Sequence, residues 1–508
     1  MRLLSRIASG LLLAPVVAAL LLPTPRAEAA PGPVFYVDCS AKQPGTGTLA
    51  HPWNRLEDVA HHGDFGPGNQ ILLKRHTTCD GRLAPTGSGV ATHPILIGAY
   101  GKGGKPTVRG GGTGSWTGAV QLNDQEYWTV QDLHVTNTDG KRSTDPYRSG
   151  VLIVNNTDRM LHGVTVRRMA VDHVNSNMSS LWVGPRSFGG ISAITMGGVK
   201  GGFDRLTIRD NVVSQVGRTG IVTSNNSYPS ARDTRVRVAG NHVSQTRGDG
   251  IVMLGAYRGR VDHNVSAYAA NEWPCPECGG ITRFTANVAI WTGSSNGVRI
   301  DHNEAYGTKW IGGDGEGFDV DSGAVNTVVE YNYAHGNDGG GILFCGSKNT
   351  IARFNILEDN SKSAIAFIGT APATNTQIYN NTIYQSKKSD AGTVRYFNGP
   401  KGKGIRFFNN LIYNHAKGYW LWPTKVRSAS NTYVGAHKPG EPHGPGWSRT
   451  DPGLRAQGTG AIGRSTLKGY KPARADSFRP GKRIPKSVKV DFFGKKINPK
   501  HPPRGAAG

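Results

Sequence analysis

From about residue 120 to 435 the chain returns again and again to one phrase: an apolar residue, two polar ones, Asn, any residue, then apolar. Its Asn positions are Asn211, Asn241, Asn264, Asn303, Asn332, Asn355, Asn381, Asn410 and Asn431. Successive steps are 30, 23, 39, 29, 23, 26, 29 and 21 residues. A shortest step near 21 to 23 with longer insertions describes a solenoid whose coils share one cross-section and differ in their loops. Between the Asn positions lie short β-branched runs alternating with polar residues and bounded by Gly, Asn, Asp or Ser, which read as strands. Stacked short strands with Asn at one corner of each coil predict an all-β, parallel β-helix. Asn suits that corner because it tolerates a left-handed backbone and can hydrogen-bond to the same amide one coil away.

The ends depart from the phrase. Phe35 to Asp38, the loop through Gly45 and Gly47, and Leu56 to Ala60 predict a strand, a loop and a short amphipathic helix closing the N-terminal mouth. A solenoid needs such closure, since its last coil otherwise exposes core and strand edges. The expected organisation is a leader over 1–29, an N-terminal cap and first coils over 30–119, the repeats over 120–435, a C-terminal coil or cap over 436–494, and a disordered basic tail over 495–508. Ser477 to Pro480 and Val490 to Gly494 mark the last segment expected to be ordered.

Composition narrows the classes. The 70 glycines lack a three-residue period, which excludes collagen. The formal charge of +24 points to an acidic partner. Residues 451–508 hold +11 of it, from 14 basic and 3 acidic side chains. Arg2 and Arg6 precede the apolar run Leu11 to Leu22, and Ala27-Glu28-Ala29 offers a small-x-small cleavage pattern, so a secreted, extracellular chain beginning near Ala30 is expected. Export sets nucleic acid aside in favour of extracellular polysaccharide; no membrane span and a monomer are expected. In an oxidising compartment five Cys allow two disulfides and one spare thiol. The expected pair is Cys39 with Cys79; Cys275 and Cys278 are read as a local disulfide ahead of zinc.

Over roughly residues 34 to 494 the chain resembles the secreted right-handed parallel β-helix proteins of the pectate-lyase-like superfamily. The resemblance rests on Tyr36-Val37-Asp38 with Pro52-Trp53, on the Asn phrases, and on Phe318 to Asp321 leading to Tyr331 through His335. It implies a right-handed β-helix acting on carbohydrate. A partial likeness to polygalacturonase-type hydrolases falls on Asp314 to Val320 and on Asn337-Asp338, with Glu316 and Asn337 standing where that pattern has acids.

Aligning the strands places Ile221, Ile251, Phe318 and Ile342 inward, as well as Thr223, Met253, Val320 and Phe344. Their alternates then face out. Asp319 and Asp321 should replace Val252 and Leu254 of one coil and Leu343 and Cys345 of the next on an exposed face, about 6.5 to 7 Å apart. Asp314 and Glu316 precede this strand, and Asp249 and Asp338 occupy related turns. Four acids within eight residues repel unless protonation, a cation or a substrate relieves them, so Asp314, Glu316, Asp319, Asp321 and Asp338 are candidate catalytic carboxyls. His335 is a candidate directed at the same cluster. Lys309, Trp310, Arg218 and Lys362 are candidate substrate contacts, Trp310 as a sugar platform.

Three readings remain open. The first is a glycoside hydrolase in which one carboxylic acid protonates the leaving oxygen and another activates water, needing no cofactor. The second is a polysaccharide lyase on uronate-containing glycans, in which Asp319 and Asp321 bind Ca²⁺ and Lys309, Lys362 or Arg218 removes a proton. The third is a non-catalytic glycan-binding or cell-surface module.

Overall fold

Three long parallel sheets run along the chain. The first has 14 strands, from Val34–Val37 to Arg427–Ala429; the second has 13, from Thr78–Asp80 to Thr432–Gly435; the third has ten, from Thr117–Asn123 to Gly392–Tyr396. In each sheet the neighbours follow chain order, so every coil adds one strand to a growing stack. The computed structural model describes residues 32–177, 187–271, 285–368, 371–387, 391–397, 401–460, 462–474 and 480–508. The expected leader, the Cys275–Cys278 pair and Ser477 to Arg479 lie outside the described residues.

The interior is made of rows that repeat one coil to the next. On the third sheet, Ile221, Ile251, Ile290, Phe318, Ile342, Ile365 and Val394 are in register, and Thr223, Met253, Thr292, Val320, Phe344 and Phe367 form the parallel row two residues on. The predicted register holds, with one addition. Strand Ile290–Gly293 stands between the coils of Ile251 and Phe318, inside the long step from Asn264 to Asn303. Asp319 therefore has Trp291 and Leu343 as its neighbours, and Val252 is one coil further away.

The Asn ladder is continuous. The amide Oδ1 of each member accepts both the backbone N–H and the Nδ2 of the Asn one coil earlier, from Asn211 on Asn241 through to Asn410 on Asn431, at 2.9 to 3.1 Å. Each Nδ2 also donates to a backbone carbonyl, as Asn332 does to Ile300 at 2.8 Å. The left-handed residue is the one before the ladder Asn: Asp210, His263, His302, Tyr331, Phe354, Asn380, Asn409 and Ser430 all have φ between 53° and 59°. Asn is thus selected at the corner for its paired donor and acceptor, and the preceding residue makes the bend.

At the N-terminal end Leu56 and Val59 of helix Leu56–His61 are buried, Phe35 stacks on Trp53, and Cys39 is bonded to Cys79 as expected.

The C-terminal segment differs from its expectation. Residues 495–508, read as disordered because they are rich in Lys, Pro and Gly, pack on the coils. Arg504 is 2% exposed and donates to Gly446 O and Thr432 Oγ1; the N–H of Gly505 donates to Asn409 O, and that of Ala506 to Thr382 Oγ1. Further upstream, Leu467, Tyr470, Ile484, Val488 and Phe492 join Tyr331, Tyr333, Phe354, Ile356 and Tyr379 in a second apolar cluster outside the β-helix core. The segment forms a strap, and its scattered apolar residues find their partners on the outer faces of the coils.

Candidate active site

The acidic strand Phe318–Val320 belongs to the third sheet, and the turn before it begins at strand Gly312–Asp314. Gly315 turns the chain between them at φ +86°, where a Cβ would stand 2.9 Å from the Cα of Trp310. That close approach requires glycine. Gly317 donates to Gly340 O and Ala289 to Glu316 O, so the backbone carrying the acids is fixed by both neighbouring coils.

The outward face expected to be exposed is in fact covered at its centre. Glu316 is 0% exposed and Asp319 3%, whereas Asp321 and Asp314 are half-buried. Both carboxylate oxygens of Glu316, and Oδ1 of Asp319, lack a hydrogen-bond partner. Burial first, then the charges of Asp321, Asp314 and Glu316, push the Asp319 carboxyl well above the usual range. Burial and then Asp314 push Glu316 up to about 8, against the pull of Arg395. Cys345, one coil beyond Asp321, has its thiol pushed up by burial and by the charges of Asp319 and Asp321. Two buried acids whose carboxyls are pushed upward thus lie among two that solvent reaches.

A groove of about 440 Å³ opens beside Asp321, lined among others by Trp291, Tyr228, Leu254 and Asn226. Gly293 keeps it open: a Cβ there would meet Asp321 Cβ at 3.6 Å and the Trp291 ring at 3.3 Å. The Trp291 indole N–H donates to Asp249 Oδ1 at 2.9 Å, and the Val288 N–H donates to the same oxygen. Asp249 thereby anchors the groove wall. An aromatic wall beside a carboxyl combines an apolar surface with a polar group, as small-molecule sites do.

The other predicted residues divide. Lys309 lies 3.5 Å from Asp338, and Lys362 lies 3.0 Å above the centre of the Trp310 ring, which is 44% exposed. Burial and then Arg395 lower the Lys362 ammonium. These four form a rim on the turns beside Glu316. Arg218 is not part of it: it is buried three strands away, about 14 Å at the usual strand spacing, and donates to Asn177 O. His335 is not part of it either. It sits on strand Tyr333–His335 of the second sheet, stacked on Tyr333 and 3.1 Å from Glu304, because the strand carrying it lies past the corner that separates the two sheets. Asn337, read as replacing a paired acid, is a member of a second Asn ladder, with its Nδ2 donating to Asn360 Oδ1.

Arg395 and Trp291 were missed. Arg395 shares the outward row of Asp319, Leu343 and Ala366, and its guanidinium returns over the small Ala366 to 3.5 Å from Glu316 Oε1. The sequence signal was the strand alternation of Gly392 to Tyr396, which turns Arg395 outward. Trp291 was hidden in a long step, although Ile290 and Thr292 repeat the inward pattern of Ile251 and Met253. Among the described residues no three His, Cys, Asp or Glu side chains converge as metal ligands.

Comparisons with known proteins agree with this architecture. The family model for the right-handed β-helix region matches residues 192–383 and 282–432. A curated lacto-N-biosidase of Bifidobacterium longum subsp. longum is 24% identical over 489 residues, covering 79% of this chain; the chain spans 30% of that relative's length. The crystal structure of a GH136 lacto-N-biosidase from Eubacterium ramulus superposes with a TM-score of 0.61 at 21% identity, over 73% of this chain and 67% of that one. XylC in complex with xylose superposes with a TM-score of 0.53 at 12% identity, over 93% and 98%. The chain is a right-handed parallel β-helix.

Proposed function

We propose that the protein is an extracellular glycoside hydrolase that cleaves its glycan over Asp321. The observation that carries this reading is the carboxyl set on strand Phe318–Val320 and its turn: two buried acids, Glu316 with neither oxygen hydrogen-bonded and Asp319 with its Oδ1 unsatisfied, among two that solvent reaches, beside a groove walled by Trp291 and Tyr228. A reacting group must touch its substrate, so Asp321 and Asp314 are the pair that acts on the glycosidic bond. One protonates the leaving oxygen while the other attacks or activates water. Asp319 and Glu316 stay protonated behind them. A neutral carboxyl there adds no negative charge beside its reacting neighbours. Similarity to lacto-N-biosidases supports hydrolysis, and the leader pattern in residues 1–29 supports export. No helix among the described residues is long and apolar enough to cross a membrane.

The test is a panel of neutral and uronate-containing glycans, including a lacto-N-biosidase substrate, assayed with and without chelator for reducing ends and for unsaturated-uronate absorbance. Reducing ends without absorbance, lost in Asp321→Asn, support the proposal. Both signals together, abolished by chelator, would replace it with calcium-dependent elimination. Neither signal on any glycan would leave a binding module.

A further inference from the structure

Beyond the carboxyl groove, we infer that the folded C-terminal strap carries a second carbohydrate site, for a uronate-bearing acidic polysaccharide. Two hollows of about 610 and 250 Å³ lie on the strap and share Pro472, Lys495 and Gly508 in their linings, so they adjoin. The larger is within the size range of ordinary ligand sites. Arg455, Lys468, Lys471 and Lys495 line it, and Lys496 lines the smaller one. All five are exposed.

Positive charge is in excess: one side-chain carboxylate, that of Asp491, shares the lining with these cations. Asp491, the acid of the lining, is 2% exposed, and its carboxylate is occupied by the backbone N–H groups of Phe493, Lys495 and Gly508 at 2.9, 2.9 and 3.1 Å. Lys471 sits 4.7 Å above the Phe493 ring, a contact that leaves its charge in place, and Lys495 donates to Gly508 O at 3.1 Å. Arg455, Lys468 and Lys496 make no ion pair among the described residues. Like charges packed on one folded surface repel one another, and an anionic ligand relieves that cost.

The walls choose the kind of anion. Pro472, Pro480, Ile497, Pro502 and Pro503 give the smaller hollow aliphatic sides, which suit the C–H faces of sugars. Single-stranded nucleic acid would call for aromatic platforms under its bases. Cations spread over two adjoining hollows fit a ligand with charge at every repeat, so a polymer of uronates is favoured over a lone phosphate.

The full-length protein is run in native gels containing polygalacturonate, neutral glucan or single-stranded DNA. The combined substitution Lys468→Gln, Lys471→Gln, Lys495→Gln and Lys496→Gln is expected to weaken retardation by polygalacturonate at least tenfold. The same number of changes at the exposed Lys42, Lys102, Lys105 and Lys141 is expected to alter it less than twofold. Activity on a short soluble substrate should be unchanged by both sets, which separates this site from the carboxyl groove. If the combined variant fails to fold, Lys468→Gln and Lys471→Gln singly should each weaken retardation about threefold by the same electrostatic argument. Equal losses in the two sets would reduce the effect to net charge and overturn the site. So would undiminished binding by the combined strap variant, or DNA retarded as strongly as polygalacturonate.

Discussion

Replacing Glu316 by Gln isolates the cost of a buried acid, because Gln has nearly the shape of a protonated Glu and cannot ionise. In the unfolded chain Glu316 titrates near its ordinary 4.5, and in the folded protein it is pushed up to about 8. A carboxyl raised in this way costs nothing below the lower value, where both states hold the proton. Between the two values the folded state keeps a proton that the unfolded state has lost, so stability falls as pH rises; above the upper value the loss is complete. Each pH unit between them is worth about 1.4 kcal/mol, and the full interval amounts to roughly 3 to 5 kcal/mol. Below pH 4.5 the wild type and Glu316→Gln should have similar unfolding free energies. By pH 8 to 9 the variant should be the more stable by that amount. Urea unfolding at half-unit pH steps from 4 to 9 reads the difference directly. A constant gap across the range, or one that widens toward acid, would mean that Glu316 is ionised in the folded protein and that Arg395 holds it so; the neutral acids of the proposed site would then be withdrawn.

Asp321→Asn should keep the cooperative thermal transition and lower turnover at least a hundredfold in a reducing-end assay, since Asp321 lies at the groove and contributes little packing; loss of the transition would make it structural. Asn332→Ala orphans the Asn303 N–H and removes the donor to Ile300 O, so a loss of about 2 to 5 kcal/mol in urea unfolding is expected from two buried groups. Truncation after Gly494 removes Arg504 and the backbone bonds of Gly505 and Ala506, and should lower the melting temperature by several degrees at every salt concentration. A melting temperature that does not move would return residues 495–508 to a free tail.

The coil register was legible because strand alternation and the Asn phrase report the same cross-section twice, once through the interior and once through the corner. Phe318, Val320 and their stacked partners followed from that agreement. The site was legible only in its acidic strand. Whether Asp319 is open or covered depends on Trp291 and Leu343, which come from different coils, and a one-coil omission moved its neighbours without disturbing the alternation. His335 was misplaced because nearness in sequence to an acidic strand does not survive the corner between two sheets. The C-terminal cap was expected over 436–494, but its packing was not legible for a compositional reason: Leu467, Tyr470, Ile484, Val488 and Phe492 are too widely spaced among Lys and Pro to form a period, and their pattern exists only against the coils they cover.

The strap also changes the order in which the molecule can be completed. A stack of coils is a nearest-neighbour system in which each new turn needs only the one before it, so it can grow as the chain is made. Glu358 breaks that locality. Its carboxylate accepts the hydroxyl of Tyr333, 25 residues earlier, and the hydroxyl of Tyr470, 112 residues later. Glu304 likewise accepts the N–H of Gly463, 159 residues later. Until the strap arrives, two buried carboxylates and the aromatic rows beside them stand open to water. Closing such long loops is the slow class of folding event. The coils from Glu304 onward therefore reach their final state late, as one unit, whereas those before them do not wait.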